Sequence, residues 1–116
     1  MGVFSVKVLF KAEKTAEKEL IVDTGSVYTW VSRKFLEDIG VKPKRKRHFK
    51  TITGRVVERD VGEVTIVIDG EEGTIPVVFA EDKDQEVLGA TALEILGLEI
   101  DPTAKRLRKI KALLAL

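Results

Sequence analysis

Apolar and polar residues alternate along positions 3–11, with Phe4, Val6, Val8 and Phe10 on one face and Ser5 and Lys7 on the other. That period of two predicts a β-strand. The polar stretch 12–17 predicts a turn, and 19–22 a second strand. Residues 27–31 are β-branched and aromatic, which predicts a third. Ser32 is suited to cap a short helix over 33–39, with Gly40 as its stop. The alternation then resumes. Segments 46–52 and 55–61 flank Thr53-Gly54 as one hairpin, and 63–68 and 74–80 flank a turn over 69–73 as a second. Pro76 has no amide proton to give a ladder, so its strand is expected at an edge or a bulge. Residues 86–88 enter as an apolar strand end. Gly89 turns the chain into a short helix over 90–96, closed by Gly97, and 98–101 and 105–110 pair around 102–104. The pattern predicts a mostly β fold with one or two short helices.

An approximate internal repeat lies in this pattern. The first half runs strand, D-T-G-S, strand, then F-L-E-D-I-G-V; the second runs strand, L-G-A-T, then A-L-E-I-L-G-L. Where the first turn has Asp23, the second has Leu88.

Composition narrows the class. At 116 residues the chain suits one domain, 1–116, with a real hydrophobic core. The 44% hydrophobic and 34% charged content is that of a soluble globular protein. The apolar runs are far shorter than a membrane span, no secretory leader is expected before the first strand, and no membrane partner is expected. The absence of cysteine excludes disulfides and thiolate chemistry and suits an intracellular, cytoplasmic protein. Asn is absent, Gln85 is the only glutamine and Met1 the only methionine, a balance typical of thermophiles.

The net charge of +1 hides local asymmetry. Residues 42–50 carry six Lys or Arg plus His48, and 105–111 carry five more basic residues. Glu81, Asp82, Asp84 and Glu86 form an acidic stretch. Such basic runs bind nucleic acid in some proteins and form a solvated hairpin face in many more. Asp69, Asp82, Asp84 and Asp101 sit in polar, turn-like contexts where solvation is expected. His48 is the only histidine and lies inside the basic run, which leaves a Ser-His-Asp triad or a His-based metal site without support. No phosphate-cradling glycine loop occurs. Neither a metal nor a cofactor is implied.

The stretch L-I-V-D-T-G-S (residues 20–26) sets a carboxylate at the end of an apolar run. Burying it is costly unless its neighbours satisfy it, which marks Asp23 as a residue kept for chemistry. The tripeptide alone equally describes a plain turn. Its surroundings change the picture. D-T-G-S followed by V-Y-T-W-V-S resembles the active-site segment of aspartic proteases. V-L-G-A-T (residues 87–91) resembles the apolar-apolar-Gly segment before the short helix of retroviral-type members. The hairpin between them sits where that family keeps its flap.

The resemblance, spanning nearly the whole chain, implies a closed, barrel-like retropepsin fold. It also implies a single-domain aspartic endopeptidase subunit that works on extended peptides. By resemblance Asp23 is the catalytic carboxylate, Thr24 braces two loops across a dimer axis, and Gly25 lets substrate approach. Ser26 is expected to bond the outer oxygen of Asp23. Ile52, Thr53 and Gly54 are the flap tip, and Leu88 and Gly89 an active-site wall. Tyr28 and Trp30 are expected to pack rather than to touch ligand.

Only one Asp-Thr-Gly is present. Asp60, before Val61-Gly62, lacks the Thr-Gly turn. A catalytic pair therefore requires Asp23 from each of two copies, so the expectation is a homodimer. Retroviral members carry an Arg after the downstream Gly, paired with an Asp shortly after the motif. Here those places hold Ala90 and Val27, and both charges are missing together. The apolar tail, within residues 111–116, is then either an interface element or a disordered terminus. Two other readings stay open: a dimeric peptide-binding or assembly module of the same fold without turnover, and nucleic-acid binding through residues 42–50.

Overall fold

The computed structural model describes residues 3–112 and 115. Leu113, Leu114 and Leu116 of the apolar tail, expected as an interface element or a disordered terminus, lie outside the described residues. Nine strands and two short helices are formed among those described: β1 (Ser5–Lys11), β2 (Thr15–Val22), β3 (Thr29–Ser32), α1 (Arg33–Asp38), β4 (Arg45–Lys50), β5 (Val56–Ile68), β6 (Glu71–Ala80), β7 (Val87–Leu88), α2 (Ala90–Leu96), β8 (Leu98–Asp101) and β9 (Arg106–Lys109). Seven strands make one sheet in the order β1-β2-β7-β3-β6-β5-β4, and β8 pairs with β9 separately. β1 also pairs with β5 through Leu9↔Val67, Phe10↔Ile66 and Lys11↔Thr65. The path of pairing thus returns to the strand where it began, and β4 hangs outside that circuit.

The apolar phase of the strands fills the interior. Val8 and Phe10 of β1, Leu20 of β2, Ile66 and Ile68 of β5 and Val77 and Phe79 of β6 are buried together with Leu36 of α1 and Leu93 and Leu96 of α2. Phe10 meets Phe35 edge to face at 5.1 Å, which ties the first strand to α1. Ser32 caps α1 by accepting a bond from the Phe35 amide, as its place before the helix predicts.

Several elements depart from the sequence pattern. The first turn is shorter than 12–17, because β2 begins at Thr15 and pairs with β1 from Lys11↔Thr15 onwards. Thr15, Glu17 and Glu19 point to solvent while Leu20 and Val22 turn inward, so polar residues there mark an exposed strand face. The third strand starts at Thr29 and leaves Val27 in the preceding loop, 63% exposed. Segments 55–61 and 63–68 are one strand of 13 residues that runs through Gly62. Ladder bonds to β4 over its first half and to β6 over its second leave no gap for a break.

The five-residue turn expected at 69–73 is a two-residue one. Ile68 faces Glu71 directly, and Asp69 and Gly70 take φ of 50° and 80°. Positive φ at both central positions matches the twist of the flanking strands, which is why Asp-Gly serves there. Pro76 makes no bulge, since the β5–β6 register runs unbroken through Glu63↔Pro76. On its other side, β6 pairs with β3 only from Val77 onwards. Pro76 therefore lies just outside the ladder that its missing amide would interrupt.

Candidate active site

β7 lies between β2 and β3 in the sheet, although β2 and β3 are consecutive in the chain. Ile21↔Val87 and Val22↔Leu88 pair in parallel, and Trp30 pairs antiparallel with Val87. The loop from Asp23 to Tyr28 must therefore cross over the end of β7. Its backbone is laced to the segment beneath it. The Asp23 amide donates to the Leu88 carbonyl at 2.9 Å, the Ala90 amide to the Ser26 carbonyl at 2.7 Å, and the Thr91 amide to the Val27 carbonyl at 3.1 Å. The two turns of the sequence repeat are thus direct neighbours.

Gly89 makes the crossing possible. A Cβ there would fall 2.3 Å from the Tyr28 carbonyl oxygen and 2.7 Å from that of Ser26, far inside contact distance. The Gly89 amide donates to Thr29 Oγ1 at 3.0 Å, and Thr29 is only 1% exposed. This hydroxyl satisfies a backbone group sealed under the loop. Thr29 was not singled out by the sequence, because a threonine in a β-branched run is an ordinary strand residue. The signal that identifies it is its burial opposite a glycine amide.

Asp23, Thr24 and Gly25 are all exposed in the single chain. The expectation that the strand end buries the Asp23 carboxylate is therefore corrected, since the chain leaves that residue open to solvent. Asp23 Oδ1 accepts the Gly25 amide at 2.9 Å, and a Cβ on Gly25 would come within 3.1 Å of the same oxygen. The Ser26 amide closes the turn on the Asp23 carbonyl at 3.1 Å. The Ser26 hydroxyl does not bond the carboxylate as expected; it donates to the Tyr28 carbonyl at 2.8 Å, within its own loop. Leu88 does not line a surface, because its side chain is fully buried in the core. It serves the loop through its carbonyl.

The β4–β5 hairpin projects from the sheet. Its tip, Ile52 to Gly54, is closed by the Thr51 amide on the Arg55 carbonyl and the Gly54 amide on the Thr51 carbonyl. Ile52 is fully exposed, at 106%. Phe49 of β4 meets Tyr28 and Trp30 edge to face at 5.4 and 5.0 Å. The packing expected of these two aromatics therefore seats the hairpin over the segment that follows Asp23. Phe49 was not picked out for this role, as its neighbours in sequence are all basic.

Charges around the hairpin are organised in pairs. Lys44 bonds Glu63 at 2.7 Å, Lys46 bonds Asp60 at 2.9 Å, and His48 lies 3.6 Å from Glu58. Asp60 also holds Arg33 at 2.6 Å, and its carboxyl is pulled below the ordinary value first by Arg33 and then by Lys46. Asp84 is not a solvated acid as expected. Arg59 grips both its oxygens, at 2.7 and 3.0 Å, and lowers its carboxyl likewise. Among the described residues no group of acidic or histidine side chains is arranged to hold a metal ion, and no helix is long and apolar enough to cross a membrane.

These features agree with comparison to known proteins. No curated protein matches the sequence. The fold is shared with the protease of simian foamy virus (mac), at 24% identity and a TM-score of 0.53 over 78% of this chain and 91% of that one. It is shared also with a retropepsin-like aspartic protease from Rickettsia conorii, at 20% identity and a TM-score of 0.60 over 86% and 77%. A family model described as aspartyl protease matches residues 6–100. With a mostly β, retropepsin-like fold, two short helices among the described residues and a single Asp-Thr-Gly loop, the chain belongs to the aspartyl protease family.

Proposed function

We propose that the protein is an endopeptidase whose catalytic pair is Asp23 from each of two subunits. The observation that carries this reading is the Asp23 loop itself. Its carboxylate is exposed in one subunit, held by the Gly25 amide, and braced from below through Leu88 and Gly89. The chain supplies one Asp-Thr-Gly only. A two-fold axis at this loop brings the two carboxylates together, and Thr24 of each copy then braces the other.

At a few ångströms apart, two carboxylates cannot both ionise, so the pair shares a proton. The ionised member takes a proton from a bound water as it attacks the peptide carbonyl. The protonated member hydrogen-bonds that carbonyl oxygen. The carboxyl that took the water's proton passes it to the amine nitrogen as the carbon–nitrogen bond breaks, leaving the pair with one proton as before. The pair titrates as a unit. No metal or cofactor takes part in this scheme. Ile52, Thr53 and Gly54 close over a substrate that lies extended and bonds through its main chain.

The test is cleavage of a peptide library by wild type and Asp23→Asn from acid to neutral pH, with light scattering on both. Cleavage that disappears in an intact Asp23→Asn dimer supports the reading. A wild-type dimer that cleaves nothing at any pH points instead to a binding or assembly module, and a monomer under all conditions removes the shared pair.

A further inference from the structure

The base of the β4–β5 hairpin is held on both faces of a single strand. The β5–β6 ladder ends at Val61↔Val78, and from there to the tip β5 has β4 alone as its partner. Arg59 and Asp60 are the first two residues beyond that end. Being consecutive in a strand, they point to opposite faces. Arg59 grips Asp84 through Nε to Oδ2 at 2.7 Å and Nη2 to Oδ1 at 3.0 Å. Asp84 in turn accepts the Glu81 amide at 2.8 Å. On the other face, Asp60 takes Arg33 of α1 at 2.6 Å on one oxygen and Lys46 of β4 at 2.9 Å on the other. Arg33 lies over the Phe79 ring at 5.1 Å and reaches the Glu81 carboxylate at 2.9 Å. Glu81 thus joins the two sides, with its side chain on one pair and its amide on the other.

Place and burial set these pairs apart. Among the described ion pairs they alone have both side chains no more than 30% exposed, at 30% and 14% for Arg33–Asp60 and 18% and 15% for Arg59–Asp84. The Arg59–Asp84 pair is bidentate, which fixes direction as well as distance. A two-stranded hairpin is marginal alone in water, so its angle to the body depends on what holds its base. Nearer the tip, the described contact with the body is Phe49 on Tyr28 and Trp30.

We infer that the Arg59–Asp84 and Arg33–Asp60 pairs form a two-sided clamp that sets the angle of the hairpin over the Asp23 loop, so that these four are positioning residues for substrate. The effect on substrate rests on the endopeptidase reading above. The clamp itself is a property of the hairpin and is measured with no substrate present.

Trp30 is the only tryptophan of the chain and touches the hairpin through Phe49, so it reports on hairpin seating directly. The experiment compares wild type, Asp84→Asn, Asp60→Asn and the exchange variant carrying Arg59→Asp with Asp84→Arg. Amide hydrogen exchange over residues 46–58 should quicken about tenfold in each single variant, with residues 5–11 unchanged. Acrylamide quenching of Trp30 should rise in parallel, and the exchange variant should bring both readings back toward wild type. For any cleaved peptide, KM should rise about tenfold at nearly constant kcat, as loss of binding without loss of chemistry requires. Wild-type exchange and quenching in both folded single variants would overturn the clamp. Should those variants fail to fold, Arg59→Lys replaces them, since it keeps the charge but cannot hold Asp84 through two parallel bonds. Unaltered exchange at residues 46–58 in that variant would again overturn the clamp. A loosened hairpin in a protein that cleaves nothing supports the clamp and removes the endopeptidase reading. Cleavage with an unaltered hairpin does the reverse.

Discussion

The Asp23 loop works through residues that carry no chemistry of their own. Gly89 is required because the loop passes over β7, and its Cβ would enter the Tyr28 carbonyl. Gly89→Ala should therefore lower stability by about 1–3 kcal/mol, as overpacking of a close contact does. A urea midpoint equal to wild type would mean that the loop has room to lift. Thr29→Val keeps the shape but leaves the Gly89 amide buried without an acceptor, at a cost of about 1–3 kcal/mol in the same measurement. Because both positions brace the Asp23 loop from below, any cleavage should fall at least as far as stability in either variant. Asp23 and its motif are legible in the sequence because they are contiguous. Thr29 and Phe49 are not, because their roles come from residues 60 and about 20 positions away in the chain, with Gly89 for one and Tyr28 and Trp30 for the other.

Among the elements, helices were read most closely from the sequence, since a cap and a stop act within a few residues. Ser32 before α1 and Gly97 after α2 fall where the pattern places them. Ser32→Ala should cost about 1 kcal/mol by denaturant titration, the usual loss for a cap. Strand lengths were less legible. Gly62 reads as a break, yet β5 runs through it because three neighbouring strands hold it along its length.

The pairs at the hairpin base also predict a pH response. Asp60 and Asp84 in the folded chain lie below their ordinary value of 3.8. A lowered carboxyl contributes stability that is complete above the unfolded value and is lost as pH falls through the folded one. Between about pH 5 and pH 2, wild type should lose stability more steeply than the Asp60→Asn, Asp84→Asn double variant, which starts lower. Urea midpoints across that range measure both slopes. Parallel slopes would mean that these pairs are screened by solvent. Glu63 and Asp101 are lowered as well, so the double variant should flatten the response and not abolish it.

For the whole molecule, the proposed pairing of two Asp23 residues makes activity depend on concentration. Specific activity should fall on dilution as subunits separate, in step with the dimer fraction seen by sedimentation. Val27 is 63% exposed within the loop, so Val27→Asp should move that midpoint to higher concentration. Full activity from a sedimenting monomer would remove the shared pair. The sequence by itself determined the strand period, the helix caps, the hairpin tip and the Asp-Thr-Gly-Ser motif, all of which depend on residues a few positions apart. Only the tertiary structure decided that β7 slips between β2 and β3, that Gly89 lies beneath the Asp23 loop, and that Asp60 and Asp84 are gripped by arginines. Those outcomes depend on which distant segments become neighbours in the sheet, and side-chain period carries no record of that choice.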